Sequence, residues 1–341
     1  MMPARSPARL KLRISAEKFP FKEPFRITGY TMVDTEVLRV ELEQDGLVGR
    51  GEASGVYYRR DDDAQANVRR LETLRERIEA GIDREGVQQL LPAGGARNAL
   101  DCALWDLDAK RSGIPAWQIA GLRRPEALLT TFTIGANSVE KTASIARSYA
   151  QARAIKIKLT GEPIDADRVR AVRAERPDVW LGVDANQGFT RESLTEILPI
   201  LVEARVQLIE QPCRVGEEHL LDGFDSPIPF AADESVQGLA DVPALVGRFK
   251  VMNIKLDKCG GLTEALAMAL EAKRLGLDVM VGNMVGTSLA MAPAFLVGQL
   301  CQVVDLDGPI FLSKDRPLPV EYTGGMIRCP AGLWGDPTAQ W

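Results

Sequence analysis

Short apolar runs rich in β-branched residues alternate with helical stretches from about residue 130 to residue 308. A polar or glycine-containing loop follows each run, and the helical stretches are rich in Ala, Leu, Arg and Glu, as is typical of βα units. The candidate strands are TTFTIG near Thr131, AIKIKL from Ala154, VWLGVD from Val179, VQLIE from Val206, IPFAAD from Ile228, VMNIKL from Val251, DVMVG from Asp278 and QVVDLD from Gln302. This count favours a closed barrel. An open doubly wound sheet is the alternative, but no glycine-rich phosphate loop follows the first run.

The chain before this region has a different pattern. LKLRISAEKF, EVLRVELEQDG and LVGRGEASG show the alternation and glycine turns of an antiparallel meander. Two helical stretches follow, DAQANVRRLETLRERIEAGI and ARNALDCALWDLDAKRSG, and the second ends at a glycine. We therefore predict an α+β domain over residues 1–125, a barrel over 126–308, and a proline-containing C-terminal segment, 309–341, that packs back on the first domain.

Composition narrows the function classes. Of the 341 residues, 45% are hydrophobic and 26% charged, which is the balance of a globular protein with a sizeable core. The net charge of −5 is spread without a basic block, so a nucleic-acid partner is not expected. No apolar run is long enough to span a bilayer, and the N-terminus lacks the apolar region of a signal peptide. We therefore expect no membrane association and a cytoplasmic location.

Cysteine and histidine offer little chemistry. The cysteines are odd in number and scattered without a C-x-x-C pair, so we expect reduced, mostly buried thiols at Cys102, Cys213, Cys259, Cys301 and Cys329. The single histidine, His219, lies in GEEHL, a pattern typical of a helix surface. A Ser/His/Asp triad or a multi-histidine metal site would depend on that one residue. Any catalysis must therefore rest on carboxylates and lysines.

Carboxylates end three consecutive predicted strands of the barrel. Asp184 ends the third in VDANQ, Glu210 the fourth in IEQP, and Asp233 the fifth in ADES. Active sites of βα barrels lie at the C-terminal ends of the strands, so these acids should converge there. They have no other evident partner in the sequence and would repel one another without a divalent cation. Magnesium fits best, because it prefers oxygen ligands whereas zinc favours His or Cys.

Lysines lie on two further strands. Lys156 and Lys158 are two residues apart on the second strand, so both point to one face, into the barrel mouth. Lys255 ends the sixth strand, across the barrel from them. A substrate between Lys158 and Lys255 would meet two opposed bases. Lys258 is a rival to Lys255, but its opposite parity and the adjacent Cys259-Gly260-Gly261 favour a loop residue.

Taken together, these motifs resemble the enolase superfamily. The K-x-K strand is typical of its muconate-lactonising subgroup, and the similarity is closest to the dipeptide epimerases, such as L-Ala-D/L-Glu epimerase. The resemblance covers nearly the whole chain, through LPAGGARNALDCALWDL, VDAN, EQP, ADES, NIKLDKCGGLTEAL and DLDGP. Each tetrapeptide is weak evidence alone, but their order and spacing are specific. The resemblance implies a modified TIM barrel, (β/α)7β, with an N-terminal α+β capping domain.

The resemblance also implies roles for single residues. Mg2+ would bind Asp184, Glu210 and Asp233, while Lys158 and Lys255 would be the acid/base pair. Lys156 would give electrostatic support, by disfavouring a further ammonium charge on the base beside it. Asp305 and Asp307 match an Asp-x-Asp that holds the ammonium group of a dipeptide substrate. The implied reaction is a two-lysine 1,1-proton transfer through an enediolate at the C-terminal residue, and a homo-oligomer is compatible with the family.

One position departs from the family pattern. Members that act on Ala-Glu carry an arginine in the mobile loop of the capping domain, and that position falls at Met32, with Arg26 earlier in the loop. Met32 favours an apolar second residue over glutamate. Asn283 also stands where relatives carry a small sulfur-containing residue.

Other functions for the same site stay open at the level of sequence. They are N-acylamino acid racemisation, o-succinylbenzoate synthesis and muconate cycloisomerisation. A scaffold barrel without catalytic activity is the alternative of another class.

Overall fold

The computed structural model describes residues 9–338. An antiparallel three-stranded sheet opens the N-terminal domain, with β1 at Lys11–Ile27, β2 at Tyr30–Gln44 and β3 at Leu47–Ala53. Helices follow as α1 at Ala64–Thr73, α2 at Arg75–Glu79, α3 at Arg84–Leu90, α4 at Gly95–Ser112 and α5 at Ala116–Ile119. This is the predicted α+β arrangement. Its core packs one face of the sheet against α4, where alternate strand residues such as Leu38, Val40 and Leu42 are fully buried.

Glycine lets the sheet approach α4 closely. A Cβ on Gly49 would lie only 2.2 Å from the main-chain oxygen of Ala103. A Cβ on Gly51 would lie only 1.9 Å from the main-chain oxygen of Ala99. The two glycines of VGRGEA therefore bring β3 into direct backbone contact with the helix. The opposite side of α4 contacts the barrel, which explains why nearly every residue of this helix is buried.

The second domain is a nearly closed barrel of eight parallel strands, hydrogen-bonded in chain order. After the two-residue β4 at Leu128–Leu129, the barrel strands are β5 at Thr131–Ile134, β6 at Ala154–Lys158, β7 at Trp180–Asp184, β8 at Leu208–Glu210, β9 at Phe230–Ala232, β10 at Val251–Ile254, β11 at Asp278–Val281 and β12 at Val303–Val304. All eight predicted runs form these strands. The fold class predicted from the sequence, an enolase-like barrel with an α+β domain, is confirmed.

Crossover segments join the barrel strands. The helical ones are α6 at Val139–Ser148, α7 at Ile164–Glu175, α8 at Arg191–Glu203, the one-turn α9 at Leu256–Cys259, α10 at Leu262–Arg274 and α11 at Ser288–Gly298. Between β8 and β10 the crossovers are 3-10 turns, at Glu218–Leu221 and Leu239–Leu245, rather than the α-helices that the pattern predicted. Pro243 inside the second turn removes one backbone donor and disfavours a continuous α-helix.

The C-terminal segment contains α12 at Gly308–Phe311, β13 at Glu321–Thr323 and β14 at Met326–Arg328. It contacts both domains. β14 pairs with β4, the short strand that precedes the barrel, whereas Arg316 forms a buried ion pair with Glu52 at 2.5 Å in the N-terminal domain. The indole nitrogen of Trp334 donates to the main-chain oxygen of Arg50 at 2.9 Å. In the part of the chain described, no helix is both long and apolar enough to cross a membrane.

Candidate active site

The three strand-end acids converge at the mouth of the barrel. Asp184 and Glu210 are the last residues of β7 and β8 and are register partners, and Asp233 directly follows β9. One carboxylate oxygen from each lies within 4.8 Å of the others, and all three side chains are buried. The parallel register therefore places three oxygen ligands around one point.

Lysines already contact these acids. Lys158 Nζ lies 2.5 Å from Asp184 Oδ2, Lys156 Nζ lies 3.0 Å from Glu210 Oε2, and Lys255 Nζ lies 2.6 Å from Asp233 Oδ2. The expectation that the acids have no other partner is therefore wrong. The spacing of lysines along one strand does not predict these ion pairs, because each pair joins residues of two different strands.

Burial and charge set the protonation of the site. Burial and the neighbouring Asp184 raise the pKa of Glu210 to about 7, although Lys156 opposes the shift. For Asp233, burial favours the neutral form, but the charges of Lys255 and Lys258 lower its pKa overall. Burial lowers the pKa of Lys156, yet Asp305, Glu210 and Asp184 together raise it well above its usual range. Lys156 therefore stays a cation, which suits an electrostatic role.

Lys258 is not the loop residue that its parity suggested. It lies in the one-turn helix α9 and is 1% exposed. Its Nζ contacts Asp233 Oδ1 at 2.6 Å. The helix turns the chain immediately after Lys255, so strand parity no longer predicts where this side chain points.

Asp305 and Asp307 follow β12 and line the same cavity as the lysines. Asp305 accepts hydrogen bonds from Lys156 and from the hydroxyl of Thr131. Asp307 accepts the backbone N–H of Thr133 and has no lysine partner among the described contacts. Burial and the charge of Asp305 raise the pKa of Asp307 to about 7. Asp307 is thus the member of the pair without a cation, and a cationic ligand group would stabilise its charged form.

Met32 lies on strand β2, not in a loop, with Phe25 as its register partner in β1. Both side chains line the cavity, which has a volume of about 260 Å³, together with Ile27 and Phe311. Within residues 9–338, the basic side chains that line it are Lys156, Lys158 and Lys255, and no arginine does. The part of the capping wall formed by Phe25, Ile27 and Met32 is therefore apolar.

The sequence did not single out three other groups at the site. Asn253 donates from Nδ2 to Glu210 Oε1 at 2.7 Å, so Lys156 and Asn253 hold that carboxylate from both sides. Tyr57 reaches the cavity from the capping domain. Glu234 is buried beside Asp233, and burial followed by that charge raises its pKa to about 8. Asn253 is two residues before Lys255, so strand alternation could have predicted that both side chains point to the same face. No sequence pattern indicates Tyr57.

The residues present fit a divalent cation. Among the described residues, Asp184, Glu210 and Asp233 form a buried group whose carboxylate oxygens could hold one metal ion. Carboxylate oxygens are the donors that Mg2+ prefers, and the single histidine is exposed on the 3-10 turn at Glu218–Leu221.

Comparison with known families identifies the architecture. Residues 9–121 match the N-terminal domain model of mandelate racemase and muconate lactonizing enzyme, and residues 139–333 match the enolase C-terminal domain-like model. The chain belongs to the enolase superfamily. The resemblance inferred from the motifs is therefore confirmed across both domains.

Relatives within the superfamily span almost the whole chain. L-Ala-D/L-Glu epimerase of Escherichia coli (strain K12) is 37% identical over 93% of this chain and 98% of the relative. A hydrophobic dipeptide epimerase of Roseobacter litoralis is 32% identical over 90% of this chain and 92% of its own length. The solved structure of a dipeptide epimerase from Methylococcus capsulatus, complexed with Mg and the dipeptide L-Arg-D-Lys, superposes with a TM-score of 0.88 at 31% identity, covering 96% of this chain and 99% of that one. This enolase-superfamily protein is an isomerase of the racemase and epimerase type.

Proposed function

We propose that the protein is a Mg2+-dependent dipeptide epimerase that inverts the α-carbon of the C-terminal residue in dipeptides of the L-Ala-L-Xaa type, with an apolar Xaa. One observation carries the proposal: Lys158, Lys255, Asp305 and Asp307 line a single cavity, and its two lysines contact Asp184 and Asp233 of the acidic triad. The named relatives act on dipeptides, which supports the same substrate class here.

The two lysines are placed for opposite faces of a substrate carbon. Lys158 ends β6 and Lys255 follows β10, so three strands, β7 to β9, separate them around the barrel. Nζ of one lysine accepts the α-proton, and Nζ of the other donates a proton to the opposite face, which inverts the configuration. Asp184, Glu210 and Asp233 would hold Mg2+, which would supply positive charge that favours the anionic form of the substrate. Lys156 adds a fixed positive charge beside Glu210.

The ammonium group of the dipeptide would meet Asp307. This carboxylate is buried and lacks a lysine partner among the described contacts, whereas Lys156 already contacts Asp305. A charge-assisted pair there orients the substrate at the end away from the α-carbon that reacts. Substrates without a cationic end would leave Asp307 buried without a counter-charge.

N-acetylation of the substrate should therefore lower kcat/KM strongly. Loss of a desolvated charge pair costs roughly 2–5 kcal/mol, so N-acetyl-Ala-Leu should be about 30- to 4000-fold poorer than Ala-Leu. Steady-state kinetics on both compounds measures the ratio. Asp307→Asn provides the matched control, because it should reduce the difference in kcat/KM between the two substrates. A wild-type preference for the N-acetyl compound would reject the dipeptide assignment.

The apolar part of the capping wall supports an apolar second residue. Met32 and Phe25 offer hydrocarbon and sulfur surface, and the side chain of Arg26 is exposed on the same hairpin. A glutamate side chain would find no guanidinium in the described wall of the cavity. Four acids from the capping domain also line the cavity: Asp34, Glu36, Asp62 and Asp63. Like charges near a substrate carboxylate disfavour its binding.

Met32→Arg should move the preference toward glutamate. In the wild-type protein we expect Ala-Leu and Ala-Phe to exceed Ala-Glu in kcat/KM. The arginine should raise the Ala-Glu to Ala-Leu ratio by about tenfold or more, because a charged hydrogen-bonded pair contributes roughly 1.5–3 kcal/mol. Met32→Leu is the control that keeps an apolar side chain, and its ratio should match wild type. A wild-type preference for Ala-Glu would reject the inference drawn from Met32, but it would still agree with the proposal that the protein is a dipeptide epimerase.

Epimerisation of L-Ala-L-Glu itself is the second candidate. It is favoured by the 37% identity to the Escherichia coli enzyme over nearly the full length of both chains. A screen of L,L-dipeptide libraries in D2O, with deuterium incorporation read by mass spectrometry, distinguishes the two candidates. Absence of exchange in every dipeptide with Mg2+ present would reject both.

A further inference from the structure

Lys258 is a buried lysine that the proposed proton transfers do not use. Its Nζ donates to the main-chain oxygen of Asp233 at 2.5 Å, to Asp233 Oδ1 at 2.6 Å and to the main-chain oxygen of Asn253 at 3.1 Å. An ammonium group has three N–H donors, so these acceptors use all of them. Lys258 does not line the cavity, whereas Lys255 does. Its position is that of a support for Asp233 rather than of a base that reaches substrate.

Two lysines contact the carboxylate of Asp233, one at each oxygen. Lys258 contacts Oδ1 and Lys255 contacts Oδ2, each at 2.6 Å. The one-turn helix α9 produces this arrangement: Lys255 is its N-cap, and the backbone N–H of Lys258 donates to the oxygen of Lys255 at 2.9 Å. Gly260 ends the helix with a φ of 80°, a left-handed conformation suited to glycine. The turn thus aims both side chains at one carboxylate.

We propose that Lys258 is a positioning residue that occupies Oδ1 of Asp233, so that only Oδ2 is left for the metal ion and for Lys255. Asp233 is then a one-oxygen ligand, and Lys255 is kept at Oδ2. The second half of this statement rests on the proposed role of Lys255 as a base. The first half concerns metal binding alone.

Removal of the Lys258 charge should affect metal binding and catalysis in opposite directions. Without Lys258, both oxygens of Asp233 are available, and a positive charge 2.6 Å from a ligand oxygen is gone. Mg2+ should therefore bind more tightly. Lys255 would lose its defined partner atom, because it could contact either oxygen, so proton transfer on its face should slow.

The experiment compares wild type with Lys258→Met, which keeps the length of the side chain without its charge. Calorimetry on the purified full-length proteins should show a Kd for Mg2+ at least about tenfold lower in the variant, the direction required by loss of a nearby positive charge. Deuterium exchange into the L,L and L,D diastereomers is then followed separately, with Lys158→Ala and Lys255→Ala assigning each diastereomer to one lysine. Exchange on the Lys255 face should fall about 30-fold or more, and exchange on the Lys158 face by less than about threefold.

Lys250→Met is the matched control, because this lysine lies just before β10 with an exposed side chain. It should leave both measurements unchanged. If Lys258→Met does not fold, Lys258→Gln takes its place with the same expected signs, because its amide can donate to the main-chain oxygen of Asp233 while the charge beside Oδ1 is gone. Weaker or unchanged Mg2+ binding, or an equal fall on both faces, overturns the proposal. Wild-type protein that binds Mg2+ but exchanges deuterium with no dipeptide would reject the epimerase function, and the calorimetric comparison would still decide the role of Lys258.

Discussion

Replacing either Lys158 or Lys255 with alanine is expected to lower epimerisation by about 10³- to 10⁴-fold, since a positioned base or acid contributes about 10²–10⁴-fold and inversion needs both. The single variants should differ in what they retain. Each should still exchange deuterium into the one diastereomer whose α-proton faces the surviving lysine. Proton NMR or mass spectrometry in D2O, started separately from the L,L and L,D dipeptides, measures the two half-reactions.

Lys273→Ala is the control for loss of a lysine at an exposed position, on helix α10, and its activity should equal that of wild type. The two catalytic variants should show complementary exchange, one for each diastereomer. If Lys255→Ala still epimerises while Lys258→Ala does not, the roles of the two lysines are reversed. Loss of exchange from both diastereomers in both variants would contradict the assignment of one base to each face.

Removing the metal is expected to abolish turnover while leaving the protein folded. Bound Mg2+ contributes several kcal/mol to stabilising the developing charge, so stripping it with EDTA should lower kcat by about 10³-fold or more. The fold should survive, because Lys158, Lys156 and Lys255 lie within ion-pair distance of Asp184, Glu210 and Asp233 and can balance their charges once the ion is removed. Activity assays and thermal melts by circular dichroism on the same EDTA-treated sample measure both effects.

Restoring Mg2+ or Mn2+ should restore activity to the stripped protein. Asp184→Asn should not be restored at the same metal concentration, since it keeps the shape of the ligand but loses its charge. Asp178→Asn is the matched control, because this aspartate has an exposed side chain next to β7 and takes no part in the triad. Full turnover in metal-free protein would contradict the metal assignment, and global unfolding on metal removal would contradict the role of the lysines as alternative partners.

Local patterns were enough to place the barrel strands and the acids at their ends. Three patterns lie within single βα units and are therefore visible in the sequence. They are the alternation of side chains along a strand, the succession of strand and helix, and the polar residue at the end of each strand. That is why Asp184, Glu210 and Asp233 were predicted to converge. Lys258 and Met32 were misplaced because a helical turn follows β10 and because the supposed loop is the end of a β-hairpin.

The sequence by itself determined the fold class, the family, and the residue types available for chemistry, because these depend on patterns repeated over many residues. Only the tertiary structure decided which groups pair with one another. Asp305 with Lys156, Asn253 with Glu210, and Lys258 with Asp233 join residues on different elements. Such pairs follow from barrel closure and from burial, which remove water as a competing partner and make neutralisation of each charge by another side chain necessary.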